Sequence, residues 1–460
     1  MVVLALVSVC AVVAFPLLLE FLARNRWILA AILVLSLSYT RPIIETPWGM
    51  HTYIRLDDIA AVLGMSALLW TGLTSNKVRQ EMKRCLRSPQ VGFWLAYVAW
   101  VIVANAINWH TIAADSALRT SNERSTNAMV VLVCTVRLIE YSAVYCVAAF
   151  AISLDSVRKS VWAVVAGAVF VGMYVVGQRL GVLSRSYYQD YWFMTPNPGT
   201  YTGPLSFNHA HIGLYAILAG ITAVQALRIA RTPWQRFSVY TAIVLCVYSL
   251  YWSKSVASWI AVAVAFCYLT FGRFRSQRAG RLVAGTLMGA CTIGLCLWSS
   301  GVEARLSVAT GESLSHRFEL WRSVWQGLAE DPSKWLWGAG LRQVDTFAIG
   351  DAHNNYLTAI GESGLVGLVL MTGFLVAIAR RRCRYLTASM LGVAATMVSQ
   401  ESLSVAQALW GLLPYILVVF VVQDRLDAYV RCQKDISTLV RVHAWAALQQ
   451  VRRGRVYARS

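Results

Sequence analysis

Acidic side chains are scarce in this sequence, and charged side chains of either sign are few. Its 460 residues include 22 Asp and Glu against 41 Lys and Arg; charged residues make up 14% of the chain and hydrophobic ones 57%. A soluble domain carries about 25% charged residues, so this composition excludes a protein that folds mainly in water. The net charge of +19 then indicates Lys and Arg held on the cytoplasmic side of a membrane, and no nucleic acid is expected as a partner.

Three further absences narrow the class of protein. Residues 1–23 lack a basic n-region and a small-residue cleavage site, so we expect a retained span and not a signal peptide. The ten cysteines lie in apolar segments or in segments expected in the cytoplasm, so no outward disulfide framework is predicted. His209 and His211 lack the spacing of zinc ligands. We therefore predict no metal and no cofactor.

The sequence is rich in apolar runs of about 17–25 residues, the length that crosses a bilayer. They predict an all-α, polytopic integral membrane protein with about 12 transmembrane helices. The expected spans are residues 1–19, 27–44, 56–73, 91–107, 129–152, 161–182, 209–227, 237–252, 256–271, 282–300, 363–379, 386–402 and 406–422. Basic residues concentrate in alternate loops, which places those loops in the cytoplasm.

This charge pattern divides the chain into four parts. Residues 1–300 hold about ten transmembrane helices, with outward loops at 105–128 and 183–208. Residues 301–362 form a helical outward insert, and residues 363–422 form the C-terminal transmembrane helices. Residues 423–460 form a cytoplasmic, basic, amphipathic tail suited to anionic lipid. The insert is the only long polar region, so we expect the chemistry there.

The middle of the insert, SLSHRFELWRSVWQGLAEDP, predicts a helix. The expected cap is Ser313 or Ser315, the stop is Pro332, and the apolar stripe is Phe318, Trp321, Trp325 and Leu328.

Two arginines of this helix are candidates for function. Arg317 lies on a different face from Phe318 and could point into a cavity between insert and membrane, whereas Arg322 is as readily solvated. Polar residues on a surface helix usually carry no function, so both interpretations of Arg317 stay open.

A histidine follows the glycine turn WGAGL. The segment DAHNNYLTAIGESGLVG leads into the next span, which puts His353 in the first turn of a helix beginning near Asp351. There the helix dipole disfavours imidazolium and keeps the ring available as a base. The alternative is a histidine that caps the helix or contacts headgroups.

Two further cations are expected on the outward side, Arg185 in loop 183–208 and Lys254 in SKSVAS between two spans. Guanidinium and ammonium groups neutralise and orient phosphate oxygens, so a diphosphate is the natural ligand. Snorkelling to headgroups is the alternative for each.

Arg137 and Glu140 lie three residues apart inside an apolar run and are expected to form a structural pair. Glu401, near an outward end of a span, is a weaker candidate for a functional residue.

The stretch SHRFELWRSVWQGLAEDPSKWLWGAGL followed by AHNNYLTAIGESGLVGL resembles the outer-loop signature of the O-antigen ligase and polymerase superfamily. The shared pattern is a basic residue followed by an aliphatic residue and Trp, a Pro before a glycine turn, and then His-Asn, here His353 and Asn354. The span count and the short SxS link with its basic residue agree as well. Where the family often has Arg, this chain has Lys254.

The resemblance implies a metal-independent, inverting glycosyltransferase of the bacterial inner membrane, with its active site in a periplasmic insert. Its donor would be an undecaprenyl-diphosphate-linked glycan, and its acceptor would be lipid A–core or a growing glycan. Membrane lipids would be further partners. His353 would then be the base. Arg185, Lys254 and Arg317 would stabilise the diphosphate, with Arg322 and Asn354 as further contacts.

Three alternatives remain open from the sequence. An O-antigen ligase and a polymerase share the donor and differ in the acceptor; size and the compact insert favour the ligase. A lipid or solute transporter would also have a dozen spans and internal ionisable residues, but it predicts inverted repeats with interrupted helices. A membrane scaffold without activity would leave the outward cations unexplained.

Overall fold

The structure, a computed structural model, describes residues 15–40, 42–44, 54–114, 126–183, 201, 203–205, 209–271, 311–344, 354–381, 383–397 and 412–457. Arg185, His353, Glu401 and the expected span 282–300 lie outside these residues.

The described chain is helical apart from one short strand pair. Its first helices are α1 (residues 15–24), α2 (Arg26–Ser36), α3 (Leu56–Thr74), α4 (Asn76–Leu86), α5 (Pro89–Ile107), α6 (Trp109–Ala114), α7 (Asn127–Ala151) and α8 (Val157–Arg179). They are followed by α9 (His209–Ala226), α10 (Pro233–Ser253), α11 (Val256–Phe271), α12 (Gly311–Glu330), α13 (Ser333–Trp337), α14 (Asn355–Ala379), α15 (Arg384–Thr396) and α16 (Leu413–Tyr457).

Five of the described helices, α3, α5, α7, α8 and α14, are long and apolar enough to cross a membrane. Shorter apolar helices occur at Arg26–Ser36, His211–Ala226 and Ala257–Thr270. The chain is thus a helical, multi-pass membrane protein. The described residues do not reach the expected count of about 12 spans.

The expected span 27–44 is wrong in its second half. Helix α2 ends at Ser36, and the chain continues into β1 (Pro42–Ile44), which pairs antiparallel with β2 (Ile54–Arg55). Pro42 disfavours helical backbone in the residue before it, and the β-branched Ile43 and Ile44 suit a strand. The all-α expectation therefore needs this one exception.

One apolar core joins the helices, and a second apolar surface faces outward. The largest fully buried side chains include Trp94, Tyr141, Tyr145 and Phe374. Leu, Val, Phe and Ile side chains on the outside of the same helices are open, as at Leu73, which is 76% exposed. An apolar exterior of this extent suits contact with lipid chains.

The last helix is longer than expected. Helix α16 runs without interruption through residue 423, where a separate tail was expected to begin. Its residues are mostly buried up to Val430 and exposed from Arg431 to Thr438. The basic tail is therefore a continuation of the last apolar helix.

Candidate functional site

The insert helix α12 packs on α14 through a face that includes only part of the expected stripe. Val324 and Leu328 are fully buried and cluster with Leu357 and Ile360 of α14. Phe318 and Trp325, expected in the stripe, are 56% and 44% exposed. The prediction was right for Leu328 and Trp321 and wrong for these two, because α14 contacts Val324 in their place.

Arg317 lies on the packed face of α12. It precedes Val324 by seven residues and Leu328 by eleven, which puts all three on one side of a helix. The Arg317 side chain is half-buried, and burial lowers the pKa of its guanidinium from the ordinary value. Arg322 is exposed on another face. Of the two arginines, Arg317 is the one that α12 presents toward the rest of the protein.

The ends of α12 differ in part from expectation. The helix begins at Gly311, so Ser313 and Ser315 lie within it and do not cap it. It ends at Glu330, in agreement with the expected stop at Pro332, whose ring cannot continue a helix.

The glycine turn after α13 packs backbone to backbone against a kink in α14. Gly338 and Gly364 both have left-handed backbone, with φ of 73° and 67°. A Cβ at Gly364 would overlap the carbonyl of Leu336, and a Cβ at Gly338 would overlap the backbone of Glu362. Only glycine permits this approach. The two conspicuous glycine motifs of the sequence, WGAGL and GESG, therefore meet in one structural unit.

Two backbone amides donate hydrogen bonds to Glu362 and hold this unit closed. The Gly340 amide donates to the Glu362 carbonyl at 2.9 Å, and the Arg342 amide donates to Glu362 Oε1 at 2.8 Å. Glu362 is 5% exposed, so its carboxylate needs such donors. Arg342 has left-handed backbone, with φ of 59°.

Side-chain amides attach the same turn to the spans. The Leu341 amide donates to Asn105 Oδ1 of α5 at 2.8 Å, and Asn108 Nδ2 donates to the Gly338 carbonyl at 3.2 Å. Gln343 and Asn127 of α7 exchange two hydrogen bonds, at 2.9 and 3.0 Å. The insert is thus fastened to two membrane helices at its glycine turn.

The first residues of α14 have structural partners of their own. Helix α14 begins at Asn355, and Asn354 caps it: Asn354 Oδ1 accepts from the amides of Tyr356 and Leu357 at 3.0 and 3.2 Å. The expected start near Asp351 was therefore wrong, and His353 precedes the cap. The reason is that Asn is among the best N-cap residues.

A second link ties this region to the rest of the bundle. The Asn355 amide donates to the Met397 carbonyl just beyond α15 at 2.8 Å, and α15 packs on α11. The elements that carry Asn354 and Lys254 are connected through α15.

Lys254 lies in a short link whose serines hold its shape. It joins α10 to α11 with φ of 49°, a left-handed conformation that is costly for a residue with a side chain. Ser253, Ser255 and Ser258 are all at most 2% exposed, and Ser258 Oγ lies 3.0 Å from Ser255 Oγ. The link therefore keeps the lysine in a strained conformation.

Trp252 brings a second cation to this link. The Lys254 ammonium lies 5.9 Å from the Trp252 ring centre, and the Arg179 guanidinium lies 4.8 Å from it. Tyr201 packs edge-on against the same ring at 5.5 Å. Arg179 was missed in the sequence because this residue lies inside an expected span, 161–182. Its position in the last turn of that span was the signal that could have identified it.

The intramembrane pair of Arg137 and Glu140 belongs to a larger network. Arg137 Nη1 lies 2.7 Å from Glu140 Oε2 and also contacts Asp58 of α3. Arg55 Nη2 lies 2.8 Å from Asp57 Oδ2 and donates to the Tyr141 hydroxyl at 2.6 Å. The network ties α3 to α7. The sequence RLDD at the start of α3 was the signal that could have identified Arg55, Asp57 and Asp58.

No group of three or more His, Cys, Asp or Glu arranged to hold a metal ion occurs within the described ranges. His211 is buried in α9.

The O-antigen ligase family matches residues 241–372, a stretch of under a third of the chain. It contains the Lys254 link, α12, the glycine turn and the kink of α14. None of the curated proteins compared with the chain matches it. The family supports a membrane glycosyltransferase of the O-antigen ligase or polymerase type. Over residues 241–372 the chain is similar to the O-antigen ligase family, which confirms the resemblance to that superfamily.

Proposed function

We propose that this protein transfers an undecaprenyl-diphosphate-linked glycan to an acceptor hydroxyl at the periplasmic face of a bacterial inner membrane. The proposed reaction is ligation of O-antigen to lipid A–core. The observation that carries it is the half-buried Arg317 on the packed face of α12, within the stretch that matches the O-antigen ligase family.

In the proposed reaction, the acceptor oxygen attacks the anomeric carbon of the donor sugar while the bond from that carbon to the diphosphate breaks. His353 takes the proton of the attacking hydroxyl. Arg317, Lys254 and Arg185 stabilise the negative charge that develops on the leaving diphosphate. One displacement of this kind inverts the anomeric configuration and needs no metal ion.

We propose different roles for two residues that were expected to contact the diphosphate or the glycan. Asn354 uses its side-chain oxygen to cap α14, so we propose that it positions His353, its neighbour, and does not itself bind glycan. Arg322 is exposed, and we propose that it acts at most on the outer part of a long glycan.

The test measures glycan transfer by the purified protein from an undecaprenyl-diphosphate-linked glycan to lipid A–core. The assay contains a metal chelator, and NMR determines the anomeric configuration of the new linkage. The proposal expects a product of inverted configuration. Retained configuration or strict metal dependence would contradict the mechanism, and no product would contradict the function.

A polymerase is the second candidate, because the family match covers both types. A deletion strain separates them. Loss of a ligase leaves core without O-antigen and lipid-linked polymer accumulating, whereas loss of a polymerase leaves core with one repeat unit.

A further inference from the structure

A cavity of about 610 Å³ opens away from the proposed active site, among α1, α2, α4, the link between α7 and α8, and α16. Its charged lining consists of the basic residues Arg24, Arg26, Lys77, Arg84, Lys159 and Arg425 and the acidic residues Glu81 and Asp155. The basic residues come from loops and helix ends that the charge pattern places in the cytoplasm. Basic side chains therefore outnumber acidic ones around this concave site.

Four of these cations have no ion-pair partner among the residues that the structure describes. Arg26 Nη1 lies 2.9 Å from Glu81 Oε2, and Arg24 Nε lies 2.9 Å from Glu20 Oε1. No such pair is formed within the described ranges by Lys77, Arg84, Arg425 or Lys159, and the Lys159 ammonium packs on Trp27 instead. Like charges that converge on one cavity repel each other unless an anion neutralises them. The cavity is suited to an anionic group.

A second cavity, of about 220 Å³, shares Arg84, Cys85, Ala149 and Arg425 with the first and adds Arg381. Arg381 lies 3.9 Å from Asp424 and donates to Gln90 Oε1 at 2.7 Å. The two cavities together form a cleft longer than a single phosphate needs.

The surroundings of the cleft favour a lipid over a free ion. Leu17 and Phe21 of α1 are 67% and 51% exposed and lie on the same helix face as Arg24. Trp27, which is 36% exposed, lies under the Lys159 ammonium at 4.0 Å from its ring centre. Aromatic side chains of this kind mark the headgroup level of a bilayer. An apolar track therefore leads from the bilayer interior to the cations.

We propose that this cleft binds an anionic glycerophospholipid. Its headgroup phosphate is held by Lys77, Arg84 and Arg425, and one acyl chain lies along Leu17 and Phe21 of α1. Basic pockets between membrane helices on the cytoplasmic side have the chemistry that binds such headgroups. This lipid joins α1 and α4 to α16 and is independent of the glycan donor on the other face.

The test compares two triple variants of the full-length protein by native mass spectrometry. The first, Lys77→Gln/Arg84→Gln/Arg425→Gln, removes the three cations of the cleft. The control, Lys83→Gln/Arg87→Gln/Arg236→Gln, removes the same charge from exposed positions on the same side that do not line either cavity. Each is titrated with phosphatidylglycerol, phosphatidylcholine and inorganic phosphate.

We expect wild type and control to bind phosphatidylglycerol in preference to phosphatidylcholine, and the cleft variant to bind it about tenfold more weakly or worse. Equal loss in both variants, or no preference for the anionic lipid, would overturn the proposal. Displacement of phosphatidylglycerol by equimolar inorganic phosphate would assign the site to free phosphate and would also overturn it. If the triple variant does not fold, the single change Arg84→Gln, at an exposed side chain, answers the same question.

Discussion

Lys254 shows how a single residue can carry a cost in stability that points to function. Its left-handed backbone is held by buried serines, and a glycine there would adopt the same conformation without strain. Strained backbone persists where the surroundings impose it, and it concentrates at functional sites. Stability and activity at this position are therefore expected to change in opposite directions.

Changing Lys254→Gly separates the two effects. We expect the free energy of unfolding to stay equal or to rise by about 1 kcal/mol. We expect glycan transfer to fall by about tenfold or more because one cation at the diphosphate is lost. Thermal melting and transfer assays measure both, and Lys254→Arg should keep most activity with the strain retained. Wild-type transfer by the glycine variant would remove Lys254 from the site.

Asn354 offers a second comparison between a structural and a direct role. Asn354→Ala removes the cap of α14 and should cost about 1 kcal/mol, with a lower turnover because His353 is displaced. Asn354→Ser restores a capping oxygen and should recover both stability and activity. If the Ser variant is as inactive as the Ala variant while its stability is normal, the Asn354 amide contacts substrate directly.

At the scale of elements, the contact between the glycine turn and the kinked helix α14 positions the insert. Gly364→Ala would place a methyl group against the Leu336 carbonyl and strain the backbone. We expect a loss of about 2 kcal/mol or more. Gly92 of α5 is the matched control, because a Cβ there meets nothing within 4 Å, and Gly92→Ala should be neutral or slightly stabilising. Equal melting temperatures for the two variants would argue against the packed turn.

The sequence predicted elements where a local rule decides the structure. Pro332 ended the insert helix, as expected. The span expected from residue 363 begins earlier, because α14 starts at Asn355. The prediction was wrong where contacts with a distant segment decide which side chains are buried. Phe318 and Trp325 were assigned to a buried stripe, but α14 contacts Val324 in their place, beside the correctly expected Leu328. The cap at Asn354 was a local signal that the expectation of a helix from Asp351 overlooked.

For the whole molecule, the charge pattern predicts an outward insert and a cytoplasmic tail, and labelling tests this topology. In a background with the other cysteines changed to Ser, Glu330→Cys on the exposed side of α12 should react with a membrane-impermeant maleimide in intact spheroplasts. In a second variant that keeps only the native, exposed Cys432, this thiol should react only after permeabilisation. The reverse pattern would place the insert in the cytoplasm and exclude a periplasmic acceptor.

Composition and hydropathy were enough to predict a helical, multi-pass membrane protein, because a bilayer restricts a spanning chain to few structures. The contacts between distant segments could not be predicted in the same way. Arg137 and Glu140 were found by their spacing, but their bonds to α3 and the amide exchange between Asn127 and Gln343 depend on how helices far apart in sequence pack.

An active site in the insert is tested by the rate of glycan transfer by purified Arg317→Ala and His353→Ala proteins, with Lys334→Ala as the matched control. Lys334 is a cation of the same insert that pairs with Asp331 at the surface, and such pairs contribute little to stability. We predict that the first two variants keep their melting temperature and lose about 100-fold or more in transfer, whereas Lys334→Ala stays close to wild type. Wild-type transfer by both Arg317→Ala and His353→Ala would contradict an active site in the insert.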